Sequence, residues 1–100
     1  MGAITVVAQL KAKKGMEDQL KQELLSIVEP SRSDVGCLNY DLHQSLEDTT
    51  SFLFYENWTG REALNAHLGT EHMKKFRERA EGLMAEPTRI SLWEMKSEKC

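Results

Sequence analysis

Two histidines lie five residues apart in residues 66–74, directly after a pattern of alternating aromatic and apolar residues. They are His67 and His72, and the preceding pattern ends with Glu56 and Trp58. An imidazole changes charge near neutral pH, and a carboxylate among apolar neighbours has a raised pKa. Both groups therefore suit proton transfer to or from a small molecule, and we treat this region as the candidate site.

Each histidine also has a structural explanation. His67 could cap the end of a helix, and His72 could pack under Phe76 as a neutral core group. A metal site built from both histidines with His43 and Glu56 is a third alternative. The familiar spacing of two histidines four residues apart is absent, so we expect no metal here.

The other candidate residues are acids, hydroxyls and rings near the same predicted strand ends. Glu56 could act as a base or polarising group, or form a salt bridge with Arg61 or Lys74. The Tyr40 hydroxyl could contact a ligand. A ligand could also meet Phe54, Trp58, Phe76, Asn39 and His43. Trp58 could equally belong to the core, and the sequence does not indicate which strand face would line a cavity.

The first part of the chain predicts a strand followed by a helix. Residues 3–10 are β-branched and apolar, and a charged segment ending at Gly15 follows them. From Met16 onward the apolar residues recur at helical spacing as far as Val28, and Pro30 should end or kink that helix, with room for one more turn beyond it.

The second part predicts a hairpin, a broken helix and a last strand. Residues 37–45 alternate, with Leu38, Tyr40 and Leu42 on one face, and residues 51–58 form the partner strand. Thr59 and Glu62 have the spacing of a capping box for a helix that stops at Gly69. A second helical piece begins at Thr70, and residues 88–95 form the fourth strand.

The order β-α-β-β-α-β is typical of the ferredoxin-like split βαβ fold, an α+β architecture with both helices on one side of an antiparallel sheet. We expect one domain over residues 1–96 and a polar tail over 97–100. Three strands also carry apolar residues on both faces: Val6 and Val7, Phe54 and Tyr55, and Leu92 and Trp93 lie on opposite faces. Helices on one side of the sheet would leave the apolar residues of the other face uncovered. A second copy packed sheet to sheet would cover them, so we predict a homodimer.

Composition limits the partners. The 100 residues carry a formal charge of -3 and 29% charged residues, so nothing favours a nucleic-acid partner. No run of about 18 apolar residues and no signal-peptide pattern is present, which predicts a cytoplasmic protein without a membrane partner.

Three segments resemble the antibiotic biosynthesis monooxygenase (ABM) domain family: residues 36–40, the strand end at 55–58, and residues 62–76. The likeness is strongest to the small quinol monooxygenase branch, which shares the His-Leu-x-Thr-x-His-Met-Lys segment. The resemblance implies a dimeric α+β barrel and oxidation of a quinol- or anthrone-type aromatic by O₂, with neither metal nor flavin nor any other cofactor.

Under this resemblance the catalytic residues would be His67, His72, Glu56 and Tyr40. Members that degrade haem carry an Asn-Trp-His set, and where their helical tryptophan would fall this sequence has His67, which weakens a haem-degrading role. Two alternatives remain open: a cofactor-free isomerase or other proton-transfer enzyme acting on a small carbonyl compound, and a non-catalytic dimer that binds a small ligand.

Overall fold

The computed structural model describes residues 2–97, which form four strands and four helices. The order along the chain is β1 (Ile4–Lys11), α1 (Glu17–Ser26), α2 (Val28–Arg32), β2 (Cys37–Gln44), β3 (Ser51–Trp58), α3 (Arg61–Leu68), α4 (Glu71–Ala80), a single 3₁₀ turn (Glu81–Leu83) and β4 (Arg89–Trp93). The predicted order of elements is confirmed. Cys100 and most of the expected tail at 97–100 lie outside the described residues.

All four strands join one antiparallel sheet in the order β2-β3-β1-β4. The two sequential strands β2 and β3 form the predicted hairpin, and β1 lies between β3 and β4. This is the ferredoxin-like α+β fold. Among residues 2–97, no helix has the length and apolar character needed to cross a bilayer.

The first helical segment breaks before its proline. α1 ends at Ser26 and α2 begins at Val28, and Ile27 between them belongs to neither helix. Pro30 is the third residue of α2, within the first turn, where a backbone N–H has no partner inside the helix in any case. The break expected at Pro30 therefore lies earlier, at Ile27, and the additional helical turn includes the proline instead of following it.

The two helices after β3 begin in different ways. Thr70 caps α4 as predicted, because its hydroxyl accepts a hydrogen bond from the backbone N–H of Met73. The predicted capping box at Thr59 is wrong: the residue before α3 is Gly60, and no side chain caps that helix. Gly69 ends α3 as expected.

The hydrophobic core lies between the helices and one face of the sheet. Val6, Ala8 and Leu10 of β1 are buried there, together with Phe52, Phe54 and Trp58 of β3. The helices contribute their inward stripes, which consist of Leu20, Leu24, Ile27, Leu64, Met73, Phe76 and Ala80. The alternation of the strands thus separates the faces as predicted.

The last strand is less well covered than the others. Ile90 and Leu92 pair with Ala8 and Val6 and so share the helix-side face, yet they are 53% and 40% exposed. On the opposite face, Tyr55 and Trp93 are also exposed. The helix layer therefore leaves an opening beside β4. The structure identifies the face of Tyr55 and Trp93 as the one that the helices do not cover.

A bulge corrects one expectation about β2. The pairing of β2 with β3 shifts between Cys37 and Asn39. Leu38, expected on the same face as Tyr40, is 58% exposed, whereas Tyr40 is buried. An extra residue in one strand interrupts the alternation, which the sequence pattern alone did not reveal.

Gly36 holds the connector before β2 against α3. Its φ is +85°, and an added Cβ would lie 2.5 Å from the Cβ of Ala63. Its carbonyl accepts a hydrogen bond from the N–H of Thr59 at 2.9 Å. A left-handed backbone in this space requires glycine, and the close approach brings Asp34 beside α3.

Candidate functional site

His67 is the buried polar residue at the centre of the site. It lies one turn after Leu64 on the inward face of α3, near the helix end, and is 2% exposed. Its ring packs at 4.6 Å from the Trp58 ring and at 5.3 Å from the Tyr40 ring, measured between centroids. Aromatic contacts on these sides fix the orientation of the imidazole.

Asp34 accepts hydrogen bonds from both histidines. Its Oδ2 atom lies 2.8 Å from His67 Nδ1 and 3.0 Å from His72 Nε2. Because an ionised carboxylate has no proton to give, the two ring nitrogens are the donors. This assigns the proton of neutral His67 to Nδ1 and leaves Nε2 with a free lone pair.

The second nitrogen of His67 faces the interior of a cavity. His67 Nε2 makes no hydrogen bond with residues 2–97, and His67 lines the cavity. Among the same residues, Ser31 Oγ is the one fully enclosed side-chain nitrogen or oxygen atom that lacks a hydrogen-bond partner. His67 Nε2 also lacks a partner and therefore cannot be fully enclosed, so we infer that it is open to the cavity. The same reasoning applies to Glu56 Oε2. The Tyr40 hydroxyl instead lies near that of Ser31.

The cavity has a volume of about 350 Å³ and lies between the sheet, α3, α4 and β4. Tyr40, Glu56 and His67 are its polar buried wall, and the apolar wall consists of Val6, Ala8, Leu10, Ile27, Phe54, Leu64, Leu68, Met73, Phe76, Ile90 and Leu92. An apolar space with a few converging polar atoms is typical of a site for a small organic ligand.

Burial controls the proton affinity of the polar wall. Withdrawal from water lowers the pKa of His67, and the hydrogen bond to Asp34 opposes that change. Burial, followed by the charge of Glu56, raises the pKa of Tyr40. At neutral pH the site therefore presents a neutral imidazole and a protonated phenol.

Glu56 is 4% exposed at the end of β3. Burial raises its pKa from an ordinary 4.5 to about 7, although a hydrogen bond from Trp58 Nε1, 2.9 Å from Glu56 Oε1, partly offsets this. Neither Arg61 nor Lys74 forms the ion pair with Glu56 that the sequence suggested among residues 2–97. A carboxyl group with this pKa can donate or accept a proton near neutral pH.

Replacing Glu56 with glutamine should change how stability depends on pH. The folded protein keeps the Glu56 proton up to pH about 7, while the unfolded chain releases it near 4.5, so unfolding becomes easier as pH rises between these values. The decrease in the free energy of unfolding should reach about 3 kcal/mol above pH 7. Glu56→Gln should abolish this decrease, as measured by urea unfolding at pH 4.5, 6 and 8.

Glu62→Gln is the matched control, because Glu62 is exposed on α3. It should keep the parent's loss of stability between pH 4.5 and 7. A Glu56→Gln protein that retained the same loss would show that Glu56 does not carry the raised pKa.

The predicted ligand-contacting residues divide into two groups. Phe54 and Phe76 line the cavity. Trp58 is fully buried behind His67 and Glu56 and does not line it. Asn39 and His43 lie on the opposite face of the sheet, where Asn39 bonds to Asn57.

His72 also lies outside the cavity wall. Its Nε2 contacts Asp34 and, at 3.2 Å, the hydroxyl of Thr70. Its ring lies 6.0 Å from that of His67 and its side chain is 25% exposed, so His72 is not the enclosed core group that we considered from the sequence. His72 can affect the cavity by its hydrogen bond to Asp34, which in turn binds His67. Sequence reasoning did not identify Asp34 as a site residue.

The possible metal ligands differ from the set considered from the sequence. Within residues 2–97, Asp34, His67 and His72 bring three possible ligand atoms within 4.8 Å of one another, and neither His43 nor Glu56 belongs to this group. The distances of 2.8 and 3.0 Å from Asp34 to the nitrogens are those of hydrogen bonds. Metal binding would require both histidine protons to leave and the three side chains to spread around the ion.

Several known proteins are similar to this chain in sequence and in fold. An uncharacterised Synechocystis protein is 32% identical over 92 residues, covering 92% of this chain but only 63% of its own length. A candidate monooxygenase of Mycobacterium tuberculosis is 26% identical over 89 residues, covering 89% of this chain and 87% of its own. A crystal structure from Pseudomonas aeruginosa superposes with a TM-score of 0.91 at 34% identity and covers 97% of both chains.

The family model described as antibiotic biosynthesis monooxygenase matches residues 3–79. The match runs from β1 almost to the end of α4 and includes Tyr40, Glu56 and His67. It agrees with the resemblance carried by the strand-end and two-histidine segments. The chain belongs to the antibiotic biosynthesis monooxygenase family.

Proposed function

We propose that this protein is a monooxygenase that oxidises a small quinol- or anthrone-type aromatic with O₂ and needs no cofactor. The observation that carries the proposal is the free Nε2 of His67, which opens into an apolar cavity while Asp34 holds the other ring nitrogen. Family membership supports oxygen chemistry. The substrate class rests on the groups that the cavity presents.

The first step would be removal of a proton from the bound substrate. Neutral His67 accepts it at Nε2, and the resulting imidazolium is stabilised by the carboxylate of Asp34. Phe54 and Phe76 would hold the aromatic rings, and the buried wall would exclude water from the anion. The barrier to deprotonation falls because the base is oriented before the substrate arrives.

The second step would use the substrate itself as the reductant. The electron-rich anion gives one electron to O₂, and the substrate radical then combines with superoxide to form a carbon–oxygen bond. The imidazolium of His67 then returns its proton to the peroxide, and the oxygen–oxygen bond breaks as the substrate carbon loses its remaining hydrogen as a proton, which releases water. One oxygen atom stays in the product, the other leaves as water, and the substrate has supplied all four electrons that reduce O₂.

The remaining residues would support this step. Tyr40 and Glu56 line the same cavity as His67 and would donate hydrogen bonds to the developing oxyanion. Trp58 fixes Glu56 by a hydrogen bond and packs on His67. His72 would act as a positioning residue through Asp34.

We also propose that two copies pack through the sheet face opposite the helices. Tyr55 and Trp93 are exposed there, 40% and 60% respectively. Large aromatic side chains on an open sheet face favour burial against a partner, and a two-fold arrangement would cover both copies at once.

The reaction is tested by oxygen-electrode measurements on chelator-treated protein with a panel of neutral quinols and anthrones. We expect O₂ uptake that scales with enzyme concentration and formation of the oxidised aromatic with one labelled oxygen from ¹⁸O₂. Turnover of a carbonyl substrate without O₂ would favour the isomerase instead. Ligand binding without any turnover would favour the binding dimer, and either outcome would refute the monooxygenase.

Sedimentation of the same preparation tests the assembly. At micromolar concentration, the mass of two chains is expected. A stable monomer would refute the dimer and leave the result of the oxygen assay standing.

A further inference from the structure

The outer part of the cavity has a different chemistry from its inner end. Arg61 and Asn65 project from α3, Arg77 from α4 and Thr88 from the segment before β4, and all four are exposed lining residues. Glu56 is the one acidic residue among those that line the cavity, and it is buried at the inner end. The opening is therefore cationic, although the chain carries 16 acidic and 13 basic residues.

The two arginines at this opening have no acidic partner among residues 2–97. Arg32, by contrast, pairs with Asp41 at 3.0 Å. On the same helix as Arg77, Arg79 pairs with Glu23 at 2.6 Å. The charges of Arg61 and Arg77 are thus left available to a ligand.

The charge at the opening also reaches the inner end. Burial is the main cause of the lowered pKa of His67, and the positive charge of Arg77 acts in the same direction with a smaller effect, whereas Asp34 opposes it. An anionic group placed near Arg77 would therefore lie within electrostatic range of the imidazole. One molecule could contact both ends of the cavity.

We propose that the substrate is an aromatic compound that carries a carboxylate, with its rings inside the cavity and the carboxylate at Arg61 and Arg77. This rests on the proposed function and names the substrate class of that site. A guanidinium presents parallel N–H donors that match a carboxylate, and this pairing gives both affinity and orientation. Held in this way, the ring end of the substrate points toward Tyr40, Glu56 and His67.

The test measures binding alone, with aromatic probes that are not oxidised. Calorimetric titration with 2-naphthoate and with 2-naphthamide compares the same rings with and without the negative charge. The parent protein should bind the acid about tenfold more tightly than the amide, and this preference should decrease as salt is added. Arg61→Gln and Arg77→Gln should each weaken binding of the acid by about tenfold and leave binding of the amide unchanged.

Arg79→Gln is the matched control, because this residue lies on the same helix but pairs with Glu23 away from the cavity. It should leave both affinities unchanged. Replacing the carboxylate by a sulfonate or a phosphate on the same rings separates a carboxylate site from a general oxyanion site, and equal binding of all three anions would overturn the carboxylate assignment.

Equal affinities for the acid and the amide, no binding of either, or equal losses of both in the arginine variants would also overturn the inference. These outcomes are independent of the oxygen assay. Oxidation of neutral quinols without a preference for acids would leave the proposed function standing and remove the carboxylate. Selective binding of the acid by a protein that never consumes O₂ would keep the carboxylate site and remove the monooxygenase.

Discussion

Replacement of His67 by alanine is expected to reduce quinol-dependent O₂ uptake by a factor of about 10² to 10⁴, the usual contribution of a positioned general base. The imidazole is the group whose free nitrogen opens into the cavity while the other is held at 2.8 Å by Asp34. The loss should appear in kcat, because His67 acts on the substrate proton during reaction. Steady-state oxygen-electrode kinetics with the best substrate of the panel measure it.

Because His67 is fully packed, the alanine variant could lose activity by losing its fold. His67→Gln keeps most of the side-chain volume and a possible hydrogen bond to Asp34, but it provides no base at the cavity. It should fold, as judged by circular dichroism and urea unfolding, and show a comparable loss of kcat.

His43→Ala is the control of matched residue type. His43 is exposed on the opposite face of the sheet, where its ring nitrogen contacts the backbone carbonyl of Asp41. The variant should keep the parent's kcat and KM. Folded His67→Gln protein with the parent's rate would remove His67 from the mechanism.

The fold was predictable because the burial pattern is local and regular. Alternation in β3 places Phe52, Phe54 and Trp58 on one face, and the structure buries all three. Helix ends were less predictable, since the spacing of Thr59 and Glu62 matches a capping box that does not form. Cap formation depends on the backbone just before the helix, and here that residue is Gly60 with an extended backbone.

The inner wall of the cavity was only partly predictable. Tyr40, Glu56 and His67 were each selected by residue type, and the structure brings all three to one cavity. Asn39 and His43 were selected by the same criterion but lie on the other face, because the sequence does not show which face of β2 the helices cover.

Asp34 was missed because it lies in a polar connector with no periodicity. Its role depends on a contact between segments 33 residues apart, which Gly36 permits by its positive φ and its close approach to Ala63. The signal that could have found it is topological. In this fold the connector before β2 and the end of β3 meet at one edge of the sheet, so an acid directly before β2 falls near the helix that follows β3.

Replacement of Asp34 by asparagine should have the second-largest effect, a reduction of kcat by at least about 100-fold. An amide has no negative charge to stabilise the imidazolium that forms when His67 accepts a proton. It can also present N–H₂ to the ring and so favour the tautomer whose proton is on Nε2, which blocks the base. The expected loss is therefore one of proton affinity and orientation, with the cavity itself unchanged.

The pH dependence distinguishes this explanation from a general loss of structure. Burial lowers the pKa of His67, and Asp34 opposes that effect, so removing the charge should lower the pKa further. The base is active when neutral. The fall of kcat at acid pH, which already lies below the pH expected for an ordinary histidine, should therefore move to still lower pH in Asp34→Asn.

Asp41→Asn is the control, because it removes an exposed partner of Arg32, and it should change neither kcat nor the pH at which kcat falls. An Asp34→Asn enzyme whose kcat equals that of the parent and falls at the parent's pH would show that His67 works without its carboxylate, and the mechanism would then need another source of basicity at the inner wall, for which Glu56 is the candidate.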